Sequence, residues 1–341
     1  MLLLLIACSS PASQSGSVAS GADVTGAPDY TTVFSEESTV GDPQLYEVDN
    51  TGAVTWQLDV PSALGSHWAA DHGNPMLMDV QPVKGGTFIL AIYGTGLFEV
   101  DHSGQIVWEL DDPMASHDVD RLPNGDTLYT RTWAPQGADA VVEVDSSGKQ
   151  VWAWSGEAAF GSDSRFNGYV DEGGAWMHPN AVQRLADGTT SVCVRNFNEV
   201  AIVDSSGNVV KEVTFQTPDG ADGPKNTGTL LGQRPHSAQW VPGQGFSVAL
   251  RSPDRAFVIK DSTLQHEFRS PDVSGITDYD QFSDGTAELA AHDRVEEVDA
   301  SGAVVWSWVV PSVDVGPDDR ARHTFQTISR IDDDGAPVDF D

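Results

Sequence analysis

Apolar and polar residues alternate along most of this chain in short runs, and the same run returns six times. Residues 45–56 read L-Y-E-V-D-N-T-G-A-V-T-W. Close copies occupy 97–108 (L-F-E-V-D-H-S-G-Q-I-V-W) and 141–152 (V-V-E-V-D-S-S-G-K-Q-V-W). Looser copies lie at 200–211, 257–268 and 295–306. Each unit reads as strand, Asp-x-Ser/Thr-Gly turn, strand, because period-two alternation marks a strand and Asp and Gly supply the turn. The shared aspartates are Asp49, Asp101, Asp145, Asp204, Asp261 and Asp299, spaced 52, 44, 59, 57 and 38 residues apart.

A second pattern fills the intervals. It is clearest as S-H-D-V-D-R-L-P-N-G-D-T-L-Y-T-R at 116–131 and H-P-N-A-V-Q-R-L-A-D-G-T-T-S-V-C-V-R at 178–195. It recurs as H-S-A-Q-W-V-P-G-Q-G-F-S-V-A-L-R at 236–251 and, degenerate, as D-Y-D-Q-F-S-D-G-T-A-E-L-A-A-H at 278–292. This pattern adds two more strands to each repeat. Six units of four strands at a period near 50 predict an all-β, six-bladed β-propeller with four-stranded antiparallel blades. The repeat runs nearly end to end, so residues 28–341 are expected to form one domain, with insertions at 155–177 and 214–234 near one mouth. The 33 Gly, 19 Pro and 10 Trp suit this reading.

Residues 1–8 end in Leu5-Ile6-Ala7-Cys8, too short to span a bilayer and similar to a bacterial lipobox. The expectation is a lipidated Cys8, a flexible Ser/Gly/Ala-rich tether over 9–27, and a place in the bacterial cell envelope, lipid-anchored and periplasmic or at the cell surface. Cys193, the other cysteine, falls in a strand and is expected to be a core residue. With 51 acidic and 18 basic residues the formal net charge is −33, which argues against nucleic acid as a partner. The acidity favours solubility. The run Asp332–Asp334 lacks the ligand spacing of a calcium loop.

Against that acidity, basic residues recur in one phase. The first strand of a blade leaves His117, His178 or His236 for its Gly turn, and the antiparallel second strand returns Arg131, Arg195 or Arg251 to the same end. His292 takes the place of Arg in the next unit, and His72 and His323 begin flanking repeats. First strands line the axis of a propeller, so these side chains are expected to converge at one mouth. Asn180, two residues after His178, is expected to share its face. Converging polar groups at the mouth of a toroid are a usual ligand position. Trp176 and Trp240 flank the region and serve either an aryl ring or blade packing.

The phrases S-H-D-V-D-R-L-P-N-G, W-M-H-P-N-A-V-Q-R-L-A-D-G and V-R-N-F-N-E-V-A-I-V-D-S-S-G resemble those of the bacterial aryl-sulfate sulfotransferases over most of residues 45–310. The resemblance implies a six-bladed propeller that moves a sulfuryl group from an aryl sulfate to a phenol, without a nucleotide donor or another cofactor. It implies a transiently sulfurylated histidine corresponding to His236, surrounded by His117, His178 and Arg195. Asn180, Arg131, Arg251 and His292 are the expected substrate-binding groups. The chain is expected to depart from the family: members usually carry an additional N-terminal β-domain, whereas here the propeller is expected to begin soon after the tether, the family's local disulfide cannot form, and no strong family phrase follows His236. Three other readings stay open: a non-catalytic binding propeller, a metal enzyme with His72, His117, His178 and His236 around an axial ion, and a quinone-dependent dehydrogenase, whose relatives usually have eight blades.

Overall fold

A computed structural model describes residues 30–38, 43–68, 75–164, 166–170, 174–215, 235–250, 255–268, 273, 275–282, 285–292, 294–309, 323–331 and 337–338. The described strands form six four-stranded antiparallel sheets, the expected six-bladed propeller. Among the described residues, helix is confined to short pieces such as Val60–Leu64 and Glu157–Phe160. The innermost strands of blades 2 to 6 are Met76–Val83, Val119–Arg121, Pro179–Arg184, Pro235–Val241 and Asp278–Gln281. Blade 1 takes its innermost strand, His323–Ile331, from the other end of the chain. It pairs with Thr31–Ser38 from Thr31↔Ile331 to Ser38↔His323, which closes the ring. Cys8 and the 9–27 tether, His72, Arg251, most of the 214–234 insertion and Asp332–Asp334 lie outside the described residues.

Six apolar clusters hold the ring, one in each seam between neighbouring blades. The middle strands are therefore buried on both faces: Thr127–Thr130, Val141–Val144 and Thr190–Val194 are buried throughout. The outermost strands alternate, as Ile106–Asp111 does. Cys193 is a buried core residue, as expected, and burial pushes its thiol well above the ordinary range.

The recurrent hairpin is an interblade tie. Asp49, Asp101, Asp145 and Asp299 each accept backbone N–H bonds from the residues two and four ahead, which shapes the turn. In the first three units the tryptophan that ends the unit then donates its indole N–H into the next blade's turn. Trp56 reaches the His102 carbonyl at 2.9 Å, Trp108 that of Ser146 at 3.0 Å, and Trp152 that of Ser205 at 3.1 Å. Where Lys211 replaces the tryptophan, it pairs with the Asp261 carboxylate of the next blade. That turn has no glycine; Asp261 and Ser262 themselves take φ of 49° and 58°, as a two-residue hairpin of the primed type requires. Inner-strand arginines add a second tie. Arg121 binds Glu99 and lies 4.4 Å over Trp108, and Arg184 binds Glu143 over Trp152.

At the closure between blades 6 and 1, Arg330 lies 3.2 Å from Glu288 and 3.0 Å from Glu297, all three buried, with its guanidinium 3.7 Å over Phe282. Two carboxylates share one cation there. Desolvation, with Glu297 adding repulsion and Arg330 opposing it, pushes Glu288 up to about 7.

Two inner strands are entered through left-handed histidines. His117, at φ 65°, is the centre of a three-residue turn closed by Asp118 N–H to the Ser116 carbonyl at 2.9 Å. His178, at φ 55°, precedes Pro179. Both therefore sit ahead of their strands, and strand alternation does not relate His178 to Asn180.

Two predictions follow from this framework. From the ordinary glutamate value up to about 7, the folded chain holds a proton on Glu288 that the unfolded chain has lost, so stability falls as pH rises through that window. Glu288→Gln should flatten the slope of denaturation midpoint against pH and raise the midpoint at neutrality; an unaltered slope refutes the assignment. Separately, a left-handed backbone penalises any side chain but is neutral for glycine, so His178→Gly should be more stable than His178→Ala by about 1 kcal/mol in chemical denaturation.

Candidate active site at the mouth of the axial channel

The structure brings His117, His178 and His236 together from three consecutive blades. The His117 ring lies 5.4 Å from that of His178 and 5.8 Å from that of His236, centroid to centroid. His236 and Asn180 sit on inner strands, and both line an axial cavity of about 360 Å3 together with His117.

Partners fix the tautomers. His236 Nδ1 lies 2.8 Å from the Thr277 carbonyl. A carbonyl only accepts, so Nδ1 carries the proton and in the neutral ring the lone pair is on Nε2. Arg195 Nη1 lies 3.0 Å from His178 Nδ1. A guanidinium only donates, so His178 is neutral with its proton on Nε2. His117 Nδ1 is 2.6 Å from Ser116 Oγ, a hydroxyl that satisfies either tautomer. Arg195 follows the second strand of blade 4 in a short 3-10 turn, and its backbone N–H bonds the His178 carbonyl. Main chain and side chain thus both bind it to His178.

The remaining expected residues divide. Asn180 is 3% exposed and donates to the Pro235 carbonyl at 3.4 Å. Arg131 lies at the expected end of its strand, but its Nε donates to Asp112 at 2.7 Å, and Asp112 also accepts from Tyr129. Its charge is matched by this residue of the connection that follows the outer strand of blade 2, and Arg131 is not among the residues lining the cavity. The His292 ring packs on Gly275: a Cβ there would come within 2.5 Å of it. Gly275 stands two residues before Thr277, so His292 backs the segment that orients His236. Trp176 is buried in the core with its indole on the Phe166 carbonyl, and Trp240 packs on Phe246, so both serve packing.

Trp133, not singled out from the sequence, places an aromatic surface beside the histidines. Its ring is 5.0 Å from His117, 5.7 Å from His178 and 4.2 Å from Tyr93. It stands two residues after Arg131, in the phase that Phe197 holds after Arg195. The channel carboxylates were also missed. Asp79, Asp118, Asp120 and Asp278 line the cavity below the histidines. Desolvation, with mutual repulsion, holds Asp79 and Asp118 well above the carboxylate range, and desolvation pushes Asp120 to about 7 and Asp278 to about 6. Their signal was the recurrent Asp-x-Asp/Gln of the inner strands: Asp79-Val80-Gln81, Asp118-Val119-Asp120 and Asp278-Tyr279-Asp280. Among the described residues, no three His, Cys, Asp or Glu side chains are placed to hold a metal ion.

No curated protein matches the chain in sequence. Solved structures share its architecture. A protein of unknown function from Bacteroides caccae superposes with a TM-score of 0.58 at 14% identity, covering 89% of this chain and 99% of that one. A streptogramin B lyase gives 0.51 at 10% identity, covering 90% and 96%. At such identities the likeness is one of fold. Family membership rests on sequence. Residues 21–216, more than half of the 341, match the arylsulfotransferase (ASST) family, a stretch that holds His117, His178 and Arg195 and ends before His236. The chain belongs to the arylsulfotransferase family.

Proposed function

We propose that the protein transfers a sulfuryl group from an aryl sulfate ester to a phenol through a sulfohistidine on His236. The observation that carries this reading is the His236 Nδ1–H bond to Thr277, because it presents the Nε2 lone pair of a neutral imidazole. In the first half-reaction Nε2 attacks sulfur, an N–S bond forms, and the S–O bond to the aryl group breaks. The departing phenolate oxygen takes a proton from His117, whose Nδ1 is held by Ser116. In the second, His117 removes the proton of the acceptor phenol as its oxygen attacks sulfur and the N–S bond breaks. The overall transfer is proton-neutral.

Arg195 and His178 act as one donor unit. One N–H of the guanidinium holds His178 Nδ1 and so sets the His178 proton on Nε2, a donor of the kind a sulfuryl oxygen accepts from. The remaining arginine donors are of the kind that fork onto two such oxygens and offset the charge of the transition state. Trp133, with Tyr93 behind it, offers the aryl ring a face beside the histidines. Asn180 lines the same cavity as a polar contact for substrate. A metal ring fits the geometry less well. His178 Nδ1 faces a guanidinium, and His236 Nδ1 must keep its proton for Thr277.

The mechanism is tested by intact mass and kinetics. Wild-type protein incubated with a chromogenic aryl sulfate should gain one SO3 and turn over by ping-pong kinetics. His236→Ala should gain none and lose about a thousandfold or more in kcat. Trp133→Ala should raise KM for the aryl ester more than it lowers kcat. Undiminished turnover by His236→Ala would move the nucleophile elsewhere in the ring.

We further propose that lipid on Cys8 tethers the propeller to the bacterial envelope, supported by the lipobox-like Leu5-Ile6-Ala7-Cys8. Labelled palmitate should enter the wild type, and Cys8→Ala should abolish both label and membrane association. Membrane association that survives in the variant excludes this anchor.

A further inference from the structure

Among the described residues, the middle of the axial channel gathers acidic groups whose neighbouring arginines are engaged elsewhere. Asp79, Asp118, Asp120 and Asp278 come from three different blades, yet they are close enough that Asp79 and Asp118 each feel both Asp120 and Asp278. Among the described residues, no lysine lines the channel. Arg121 and Arg184 do, but their guanidinium groups are engaged by Glu99 and Glu143. Buried carboxylates this close require protons or a counter-ion.

A second observation points to a ligand rather than to protons alone. Asn180, on the wall of the same channel and 3% exposed, has its Oδ1 without a hydrogen-bond partner. Gln239 Oε1, on the adjoining inner strand, is in the same state. Buried amide oxygens are ordinarily satisfied, and an orphan one costs about 1–3 kcal/mol. Both orphans are acceptors, as are the carboxylates. The wall asks for an occupant that is positive or rich in donors.

We infer that the axial channel beneath the histidine mouth binds a hydrated divalent cation of the magnesium type. Its chemistry follows from the wall. Asp79, Asp118 and Asp278 each already accept a backbone N–H of the next blade's inner strand. No three acidic or imidazole groups among the described residues converge at coordination distance. The ion is therefore held through its waters, the mode suited to Mg2+, which dehydrates reluctantly. About 360 Å3 has room for about ten waters, enough for an ion with its shell. Water bound to the ion would donate to Asn180 Oδ1, Gln239 Oε1 and the carboxylates. The positive charge would also relieve the repulsion that an anionic ligand at the His236 mouth meets from the aspartates below, although the site itself does not depend on the sulfuryl-transfer reading.

Protons compete with the ion. Among the described residues, the titratable and charged groups facing the channel are the four aspartates, Asp280 on the blade 6 strand, Arg121 and Arg184, and His117 and His236 at the rim. Burial favours the protonated aspartates, so ion entry should expel protons near neutral pH.

Calorimetric titration of chelator-treated protein with MgCl2 at physiological ionic strength tests this, repeated in two buffers of different ionisation enthalpy. Four proteins are compared: wild type, Asp120→Asn, Asp278→Asn, and Asp111→Asn, which removes the same charge from an exposed outer strand. Asparagine keeps the shape of each channel side chain, and circular dichroism checks the fold. The expected result is one saturable site with proton release in the wild type and in Asp111→Asn, weakened at least about tenfold in both channel variants. The inference is overturned by the absence of a saturable site in the wild type, by equal affinity in all four proteins, or by binding without proton release.

Discussion

Each blade presents its innermost strand to the axis as an edge, with backbone N–H groups that no fifth strand can take. An unpaired backbone donor in a confined channel is expensive, and the rest of the structure follows from how it is answered. Side chains of the preceding blade accept these protons. Asp79 takes Val119 N–H at 2.8 Å, Gln81 takes Arg121 at 2.6 Å, Asp118 takes Val182 at 2.7 Å and Gln183 takes Trp240 at 2.7 Å. Asp278 reaches Ile328 on the closing strand at 3.4 Å. The same bonds that lock blade to blade fill the channel with carboxyl and amide oxygens. The acidity under the histidine mouth is a consequence of building a toroid from open sheets.

Ties at two radii keep that toroid rigid enough to hold a site assembled from three blades. Near the axis the acceptors just described hold neighbouring inner strands. At the periphery the Trp56, Trp108 and Trp152 indoles lock into the next blade's turn, and Lys211 with Asp261 does the same by charge. Between them lie six apolar seams. A histidine on one blade therefore has a fixed relation to a histidine on the next, within a frame that neither contributes to. This rigidity lets His117 and His178 persist at positive φ, a conformation that the surrounding bonds must impose on them.

The site itself is an arrangement of tautomers. Thr277 and Arg195 are unlike partners, one accepting and one donating, and they set His236 and His178 in opposite protonation patterns. Two chemically identical rings thereby carry a lone pair in one and a proton in the other at the same ring position, Nε2. Arg131 shows the contrast. It occupies the repeat position of Arg195, but Asp112, just after the outer strand of blade 2, lies 2.7 Å away and takes up its charge.

The sequence by itself determined the repeat, and with it the blade count, the strand order within a blade and the end of the ring to which the histidines belong. Those properties follow from local alternation and turn chemistry, which are written residue by residue. The family, too, was legible in short contiguous phrases around His117, His178 and Arg195. Three things were decided only by the tertiary structure. Closure by His323–Ile331 joins distant ends of the chain. Trp176 and Trp240 turned out to serve packing while Trp133 lies beside the histidines, because whether an indole faces a seam or a mouth depends on the neighbouring blade. The aspartates of the inner strands read as ordinary polar positions until the ring brought three blades together. Their proximity is a property of the axis, and no single blade contains it.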